Sequence, residues 1–255
     1  MVRNFLGALV LSAALISGSV HAAETPAADF TDKQKEQIEA VVRDLLIKKD
    51  PEIVLNAAKE FQKKQDEENG KKAKEALGKN KDKLFSTAAD PVYGNPKADV
   101  SIVAFFDYNC GYCKKANEPM IKLIEADKNV RFVMKEYPIL AESSRVAARA
   151  ALAANKQKKY MELHNLLMEN KGALSEDSIM EMAVKAGLDK DKLKKDMASP
   201  EVAAEIQANQ DLGREVGAHG TPTFIIGDKV IPGAMELDEM KKLVEENRAS
   251  NKKVN

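Results

Sequence analysis

Cys110 and Cys113 are the two cysteines of the 255-residue chain, and they stand two residues apart in FFDYNCGYCKKANEP. A structural disulfide, half of a metal site and a redox-active pair all use this spacing. A bridge so short closes a small loop and restrains little chain entropy. A structural zinc site needs four nitrogen or sulfur ligands; beyond His21, the chain offers only His164 and His219 beside the two thiols. A linear Cu(I) site needs no more than the pair itself. The flanking residues favour redox chemistry. Val100 to Phe106 (VSIVAFF) is a run of β-branched and aromatic residues, as in a buried strand, and a helical pattern runs from Cys110 to Ala126 with a kink expected at Pro119. Cys110 then sits at a helix N-terminus, where free N–H groups and the dipole favour a thiolate. Cys113 lies one turn later on the same side. Cys110 is expected to attack a substrate disulfide and Cys113 to resolve the mixed disulfide. Gly111 lets a substrate chain come close, and Tyr112 tunes the pair without a positive charge.

A second stretch, GTPTFIIG from Gly220 to Gly227, bears on the same chemistry. Proline just ahead of an apolar strand removes a donor where a central sheet needs one, and a cis Thr221–Pro222 bond would account for it. The loop would lie beside Cys110, with the Thr221 backbone available to an extended substrate. His219, three residues before Pro222, would then be within reach of the pair. Asp107 stands three positions before Cys110. His164, among Leu163, Leu166 and Leu167, reads as structural, and Lys135 with Glu136 reads as a charge pair at a strand end.

The elements that must position these residues follow from periodicity. A second strand is expected over Val130–Glu136, helices over 143–170, 175–186 and 200–216, a hairpin of Thr223–Ile226 with Lys229–Ile231 around Gly227-Asp228, and a last helix over 237–247. Ahead of them, Ile38, Val41, Val42, Leu45 and Leu46 fall on one helix face, Asp50-Pro51-Glu52 reads as a stop and restart, and Val54, Leu55, Ala58 and Phe61 form a second stripe. Two such helices cannot build a core alone, so they pack on the main domain or on copies of themselves. Residues 63 to 83 read as solvated charge, interrupted near Gly70 and Gly78.

Met1 to Ala22 has the form of a cleaved export signal: a positive start, an apolar run from Phe5 to Val20 too short to span a bilayer, and a small-x-small site ending at Ala22. Export places the chain where disulfides persist. Lysine plus arginine and aspartate plus glutamate are 40 each, so no basic excess points to nucleic acid.

VSIVAFFDYNCGYCKK, the helix with Pro119, and GTPTFIIG together resemble the thioredoxin superfamily, and the helical block between the strands resembles the DsbA-type insertion. The CGYC motif, the threonine before proline and the helical N-terminal extension are similar to the branch that includes ScsC. The resemblance implies an α/β thioredoxin fold with a helical insertion at about 140–215, in a catalytic domain over 84–255, preceded by an oligomerisation region and linker over 23–83. It implies no cofactor beyond the redox-active Cys110–Cys113 disulfide. Many family members carry a buried acid six positions before the first cysteine; here that residue is Ala104, and Asp107 is the nearest substitute.

The resulting expectation is a periplasmic thiol-disulfide oxidoreductase acting mainly as a protein disulfide isomerase and reductase. Its expected partners are exported proteins with non-native disulfides, a DsbD-like membrane thiol reductase and its own copies. The alternatives are a monomeric DsbA-like oxidase, served by a DsbB-like partner, and an exported protein binding Cu(I) at Cys110 and Cys113.

Overall fold

The computed structural model describes residues 30–85 and 90–254. The export signal and the leader to Asp29 lie outside the described residues. The chain divides into a unit ending at Gln62 and a unit starting at Lys63.

In the first unit, α1 (Asp32–Asp44) starts at Thr31, whose side chain accepts from the Gln34 N–H while Gln34 bonds back to the Thr31 N–H. This reciprocal box satisfies donors that a helix start leaves unpaired. A π-helical turn over Leu45–Lys49 follows, closed by Asp50 N–H on the Leu45 carbonyl at 2.8 Å. The helix breaks at Asp50-Pro51, and α2 (Glu52–Lys79) restarts. No residue of α1 is buried. Ile38, Val41, Val42 and Leu45, and on α2 Val54, Leu55 and Phe61, are all exposed.

α2 runs without interruption through Gly70 and Gly78, where breaks were expected. Each glycine costs about 1 kcal/mol in a helix, and the flanking lysine, glutamate and alanine residues outweigh that. Its last turns belong to the second unit and are not a solvated linker. Leu77, and Leu84 of α3 (Lys81–Phe85), are buried against Val103, Phe105, Val133 and Leu212.

The second unit is built on a five-stranded sheet in the order β1 (Val92–Gly94), β3 (Val130–Glu136), β2 (Val100–Phe106), β4 (Thr223–Ile226), β5 (Lys229–Pro232). β2 and β3 are parallel and the remaining pairs antiparallel. β2 lies at the centre and is buried on both faces, which its apolar sequence, interrupted only by Ser101, anticipates. It ends directly at the cysteine motif, so the sheet fixes where α4 (Gly111–Ala126) starts. β4 pairs Thr223 with Phe105, bringing the residues before Thr223 to the same end of the sheet.

The helical block comprises α5 (Glu142–Asn155), α6 (Tyr160–Glu169), α7 (Glu176–Lys185), α8 (Lys190–Met197) and α9 (Pro200–Glu215), and α10 (Leu237–Val254) closes the unit. α5 buries Ala147, Ala150, Ala151 and Ala154, small side chains that let neighbouring helices approach closely. The segment 143–170 divides at Lys158, whose φ of +58° ends the first helix. α8 was not anticipated. Its apolar content is nearly confined to the buried Leu193, and its start is fixed by Asp189, which accepts from the Lys192 N–H at 2.8 Å.

Candidate active site

The two cysteines occupy the positions that strand and helix prescribe. Cys110 is the residue just before α4, in extended conformation, with its N–H on the Asp107 carbonyl at 3.0 Å. Cys113 lies in the first turn, and both are free thiols. Cys110 is 7% exposed and Cys113 2%. Burial pushes the Cys113 thiol well up, with the Asp107 backbone opposing the shift. A thiol that holds its proton this firmly suits a resolving role more than a first attack. Gly111 is exposed and has open space where a Cβ would stand.

The Thr221–Pro222 peptide bond is cis. The Cys110 thiol donates to the Thr221 carbonyl at 3.0 Å across 111 residues of chain. Three contacts hold this loop. Thr223 Oγ1 donates to the Gly220 carbonyl at 2.7 Å, Gly233 N–H to the Pro222 carbonyl at 2.8 Å, and Tyr137 Oη to the Ala218 carbonyl at 2.9 Å. Tyr137 packs edge-on against Phe105 at 5.5 Å. It also lies so close to Gly213 of α9 that a Cβ there would come within 2.6 Å of its ring.

Asp107 is buried and fully occupied. Its carboxylate accepts from the N–H groups of Asn109, Ile139 and Leu140 at 2.8, 2.9 and 3.0 Å, and from Ser144 Oγ at 2.6 Å. It therefore pins the Ile139–Leu140 segment to the turn before Cys110. The Ile139 and Leu140 side chains are 40% and 53% exposed and Tyr112 is 64% exposed, so apolar surface is open to solvent at the segment Asp107 holds and beside the nearly buried Cys110. Tyr112 carries the Lys115 ammonium 5.4 Å from its ring centroid. Both line an open groove with Thr221, Gly233, Met235 and Glu236. His219 is exposed on the loop after α9.

Lys135 and Glu136 do not form a charge pair. Adjacent residues of a strand face opposite sides of the sheet. Lys135 bonds Asp90 at 2.5 Å and the Lys83 carbonyl at 2.9 Å. Glu136 Oε1 meets Tyr108 Oη at 2.9 Å and Tyr160 Oη at 2.8 Å. Tyr108 Oη also meets His164 Nδ1 at 3.0 Å, and His164 Nε2 meets Asn117 Oδ1 at 3.2 Å. Burial pushes Glu136 up to about 8 and His164 down to about 3, so both favour their neutral forms. His164 and Asn117 line a cavity of about 10 Å³ with Cys113, Ala104, Phe106 and Pro222. Local sequence pattern links neither Glu136 nor His164 to the cysteines. The one available signal was His164 among Leu163, Leu166 and Leu167.

Among the described residues, no cluster of three or more His, Cys, Asp or Glu side chains is arranged to hold a metal ion, and no helix is long and apolar enough to cross a membrane.

Residues 101–245 match the family model described as a DSBA-like thioredoxin domain. A thioredoxin-like oxidoreductase from Silicibacter pomeroyi is 44% identical over 67% of this chain and 98% of that one, with a TM-score of 0.65. A linker-deletion mutant of Proteus mirabilis ScsC is 31% identical over 88% of this chain and 99% of that one, with a TM-score of 0.67. Disulfide bond formation protein D of Bacillus subtilis is 26% identical over 63% of this chain and 78% of its own length. The first curated relatives are Na+/H+ antiporters NhaA of Salinispora species, and the chain spans 24% of their length.

Proposed function

This chain belongs to the DSBA-like thioredoxin-domain family of thiol-disulfide oxidoreductases, and from that premise we propose that it is a periplasmic enzyme that acts mainly as a disulfide isomerase and reductase. Cys110 attacks a substrate disulfide, and Cys113 resolves the mixed disulfide when the substrate has not rearranged. The observation that carries this reading is the Cys110 thiol on the carbonyl of the cis-proline loop at 3.0 Å, nearly buried, with the exposed Tyr112 and Thr221 lining one open groove. Open apolar surface at Tyr112, Ile139 and Leu140 suits the exposed apolar side chains of incompletely folded proteins better than a small thiol.

The isomerase and reductase direction is supported by the first unit. α1 buries nothing, and the row of Ile38, Val41 and Val42, continued by Leu45 of the π-helical turn, faces solvent. Such a row on a marginal helix needs a partner, and self-association places several Cys110 sites around one cleft. A shared cleft accommodates substrates with non-native disulfides. It also hinders docking on a DsbB-like oxidase, so a DsbD-like membrane reductase keeps the pair reduced.

The test leaves the chain intact. Val41→Asp with Leu45→Asp should lower the mass measured by light scattering to that of a single chain. The same variant should abolish reactivation of scrambled ribonuclease while dithiol oxidation is retained or gained. An unaltered mass with unaltered reactivation sinks the proposal, and so does a pair that thiol trapping finds oxidised in cells, the signature of an oxidase.

A further inference from the structure

Resolution at Cys113 releases a proton that burial makes hard to lose. Ala104 lines the cavity beside Cys113 and offers no proton acceptor. The same cavity is bounded by His164 and Asn117, and its volume of about 10 Å³ is close to the least that admits one water. Behind His164 runs a continuous buried chain of hydrogen bonds: His164 Nδ1 to Tyr108 Oη at 3.0 Å, and Tyr108 Oη to Glu136 Oε1 at 2.9 Å.

Tyr108 has one hydroxyl proton to place between Glu136 and His164, with Tyr160 beside it, so the chain has two ordered arrangements. In the first, His164 Nε2–H donates to Asn117 Oδ1, Tyr108 donates to His164 Nδ1, and a protonated Glu136 donates to Tyr108. In the second, Glu136 is ionised, Tyr108 donates to it, His164 Nδ1–H donates to Tyr108, and Nε2 is bare. The two differ by one proton, yet His164 is neutral in both, in keeping with its burial. Asn117 serves either form of Nε2, because an amide carries both an acceptor and a donor. Glu136 Oε2 is buried without a hydrogen-bond partner, which favours the neutral carboxyl at rest.

We propose that the buried Glu136–Tyr108–His164 chain is the proton store that serves Cys113. This rests on the thiol-disulfide exchange proposed above. In the resolving step, which starts from the second arrangement with Glu136 ionised, the Cys113 thiol gives its proton to the bare His164 Nε2 through one water in the cavity they share. Nδ1–H passes to Tyr108, and the Tyr108 proton passes to Glu136. The Cys113 thiolate attacks Cys110 Sγ, the Cys110–Cys113 bond forms, and the bond from Cys110 to the substrate sulfur breaks. The substrate leaves as a thiolate that takes a proton from water. Both enzyme cysteines are oxidised and the substrate disulfide is reduced. Reversed, the chain supplies the proton that Cys113 takes when a substrate thiolate opens the enzyme disulfide.

The groups facing this chain are few. Tyr160 and His164 reach Glu136 and Tyr108 from α6, and the Asp107 carboxylate adds repulsion at Glu136. Asp90 adds repulsion at Tyr160. Cys113 is faced by Cys110, by the Asp107 backbone and by Thr221. Lys135 points away, to Asp90.

The experiment mixes the reduced full chain with oxidised glutathione, quenches with acid and separates the glutathionylated and internally bridged forms by mass spectrometry. The parent should show a resolution rate that rises with pH and levels near pH 8. Glu136→Gln and Tyr108→Phe should slow resolution about 100-fold below pH 8, in the range of one general base. Both should abolish the inflection and leave formation of the mixed disulfide at Cys110 unaltered. Tyr160→Phe removes a bond to Glu136 without cutting the chain, so it should keep the inflection and move it upward. If Glu136→Gln does not fold, Tyr108→Phe decides. Retention of the parent profile by a folded Tyr108→Phe or Glu136→Gln overturns the proton store. So does slowing by all three variants in proportion to lost stability with the inflection in place. A parent that never forms the Cys110–Cys113 bridge overturns the exchange reading itself, a separate and visible outcome.

Discussion

Glu136 and His164 are fully buried ionisable residues whose effects on stability run in opposite directions. Burial raises Glu136 from 4.5 to about 8, so the folded protein keeps a proton that the unfolded chain has lost. Its contribution is full below about pH 4.5 and is lost as pH rises through 8. Burial lowers His164 from 6.5 to about 3, so the folded state is penalised as pH falls below 6.5. The two trends oppose each other between 4.5 and 6.5. From 6.5 to 8 Glu136 acts without His164, and stability should fall by about 2 kcal/mol. Glu136→Gln is neutral at every pH and should remove that fall in urea denaturation at pH 6.5 and 8. Asp90, pushed up to about 7 by burial against the pull of Lys135, acts in the same direction in parent and variant, so the difference between the two proteins isolates Glu136. The types of these residues were plain in the sequence. Their company was not, because Tyr108, Glu136 and His164 are brought together over separations of 28 and 56 residues.

The site is an assembly of three element ends: the C-terminus of β2, the N-terminus of α4 and the loop between α9 and β4. The first two are adjacent in sequence, and an apolar run followed by a thiol at a helix start places them almost unaided. The third is held from a distance. Gly213 gives Tyr137 room to lie against α9 and reach the Ala218 carbonyl, three residues before Thr221. Gly213→Ala puts a methyl group into the Tyr137 ring, an overpacking that costs about 1–3 kcal/mol. It should also displace the loop and slow mixed-disulfide formation at Cys110, measured by denaturation and by the glutathione reaction on one preparation. The helical block shows where local pattern runs out. α5 and α6 were legible as two helices, whereas the break at Lys158 rests on a left-handed backbone, and the charged α8 on the Asp189 cap and the buried Leu193.

Over the whole chain, the packed unit begins earlier than composition implies. Lys63 to Lys83 is charged on nearly every face, yet Leu77 is buried beside Leu84 under the sheet. Removal of residues 23–62 should therefore leave the second unit with the thermal midpoint of the intact chain's sheet transition. Removal through Lys83 also takes Leu77 and should lower stability by about 2–3 kcal/mol, the scale of one buried leucine. Calorimetry of the two truncations separates these outcomes.

The sequence by itself determined the cysteine pair at a helix start, the strand and helix that carry it, and the proline loop that faces it. Each of these is written in short-range spacing, where period and residue type act on neighbours. Tertiary structure alone decided that the Asp107 carboxylate holds the Ile139–Leu140 segment, that Lys135 and Glu136 part to different partners, and that His164 and Cys113 line one cavity. Those outcomes depend on which side chains share a buried volume, and burial is a property of the folded chain that no local pattern contains.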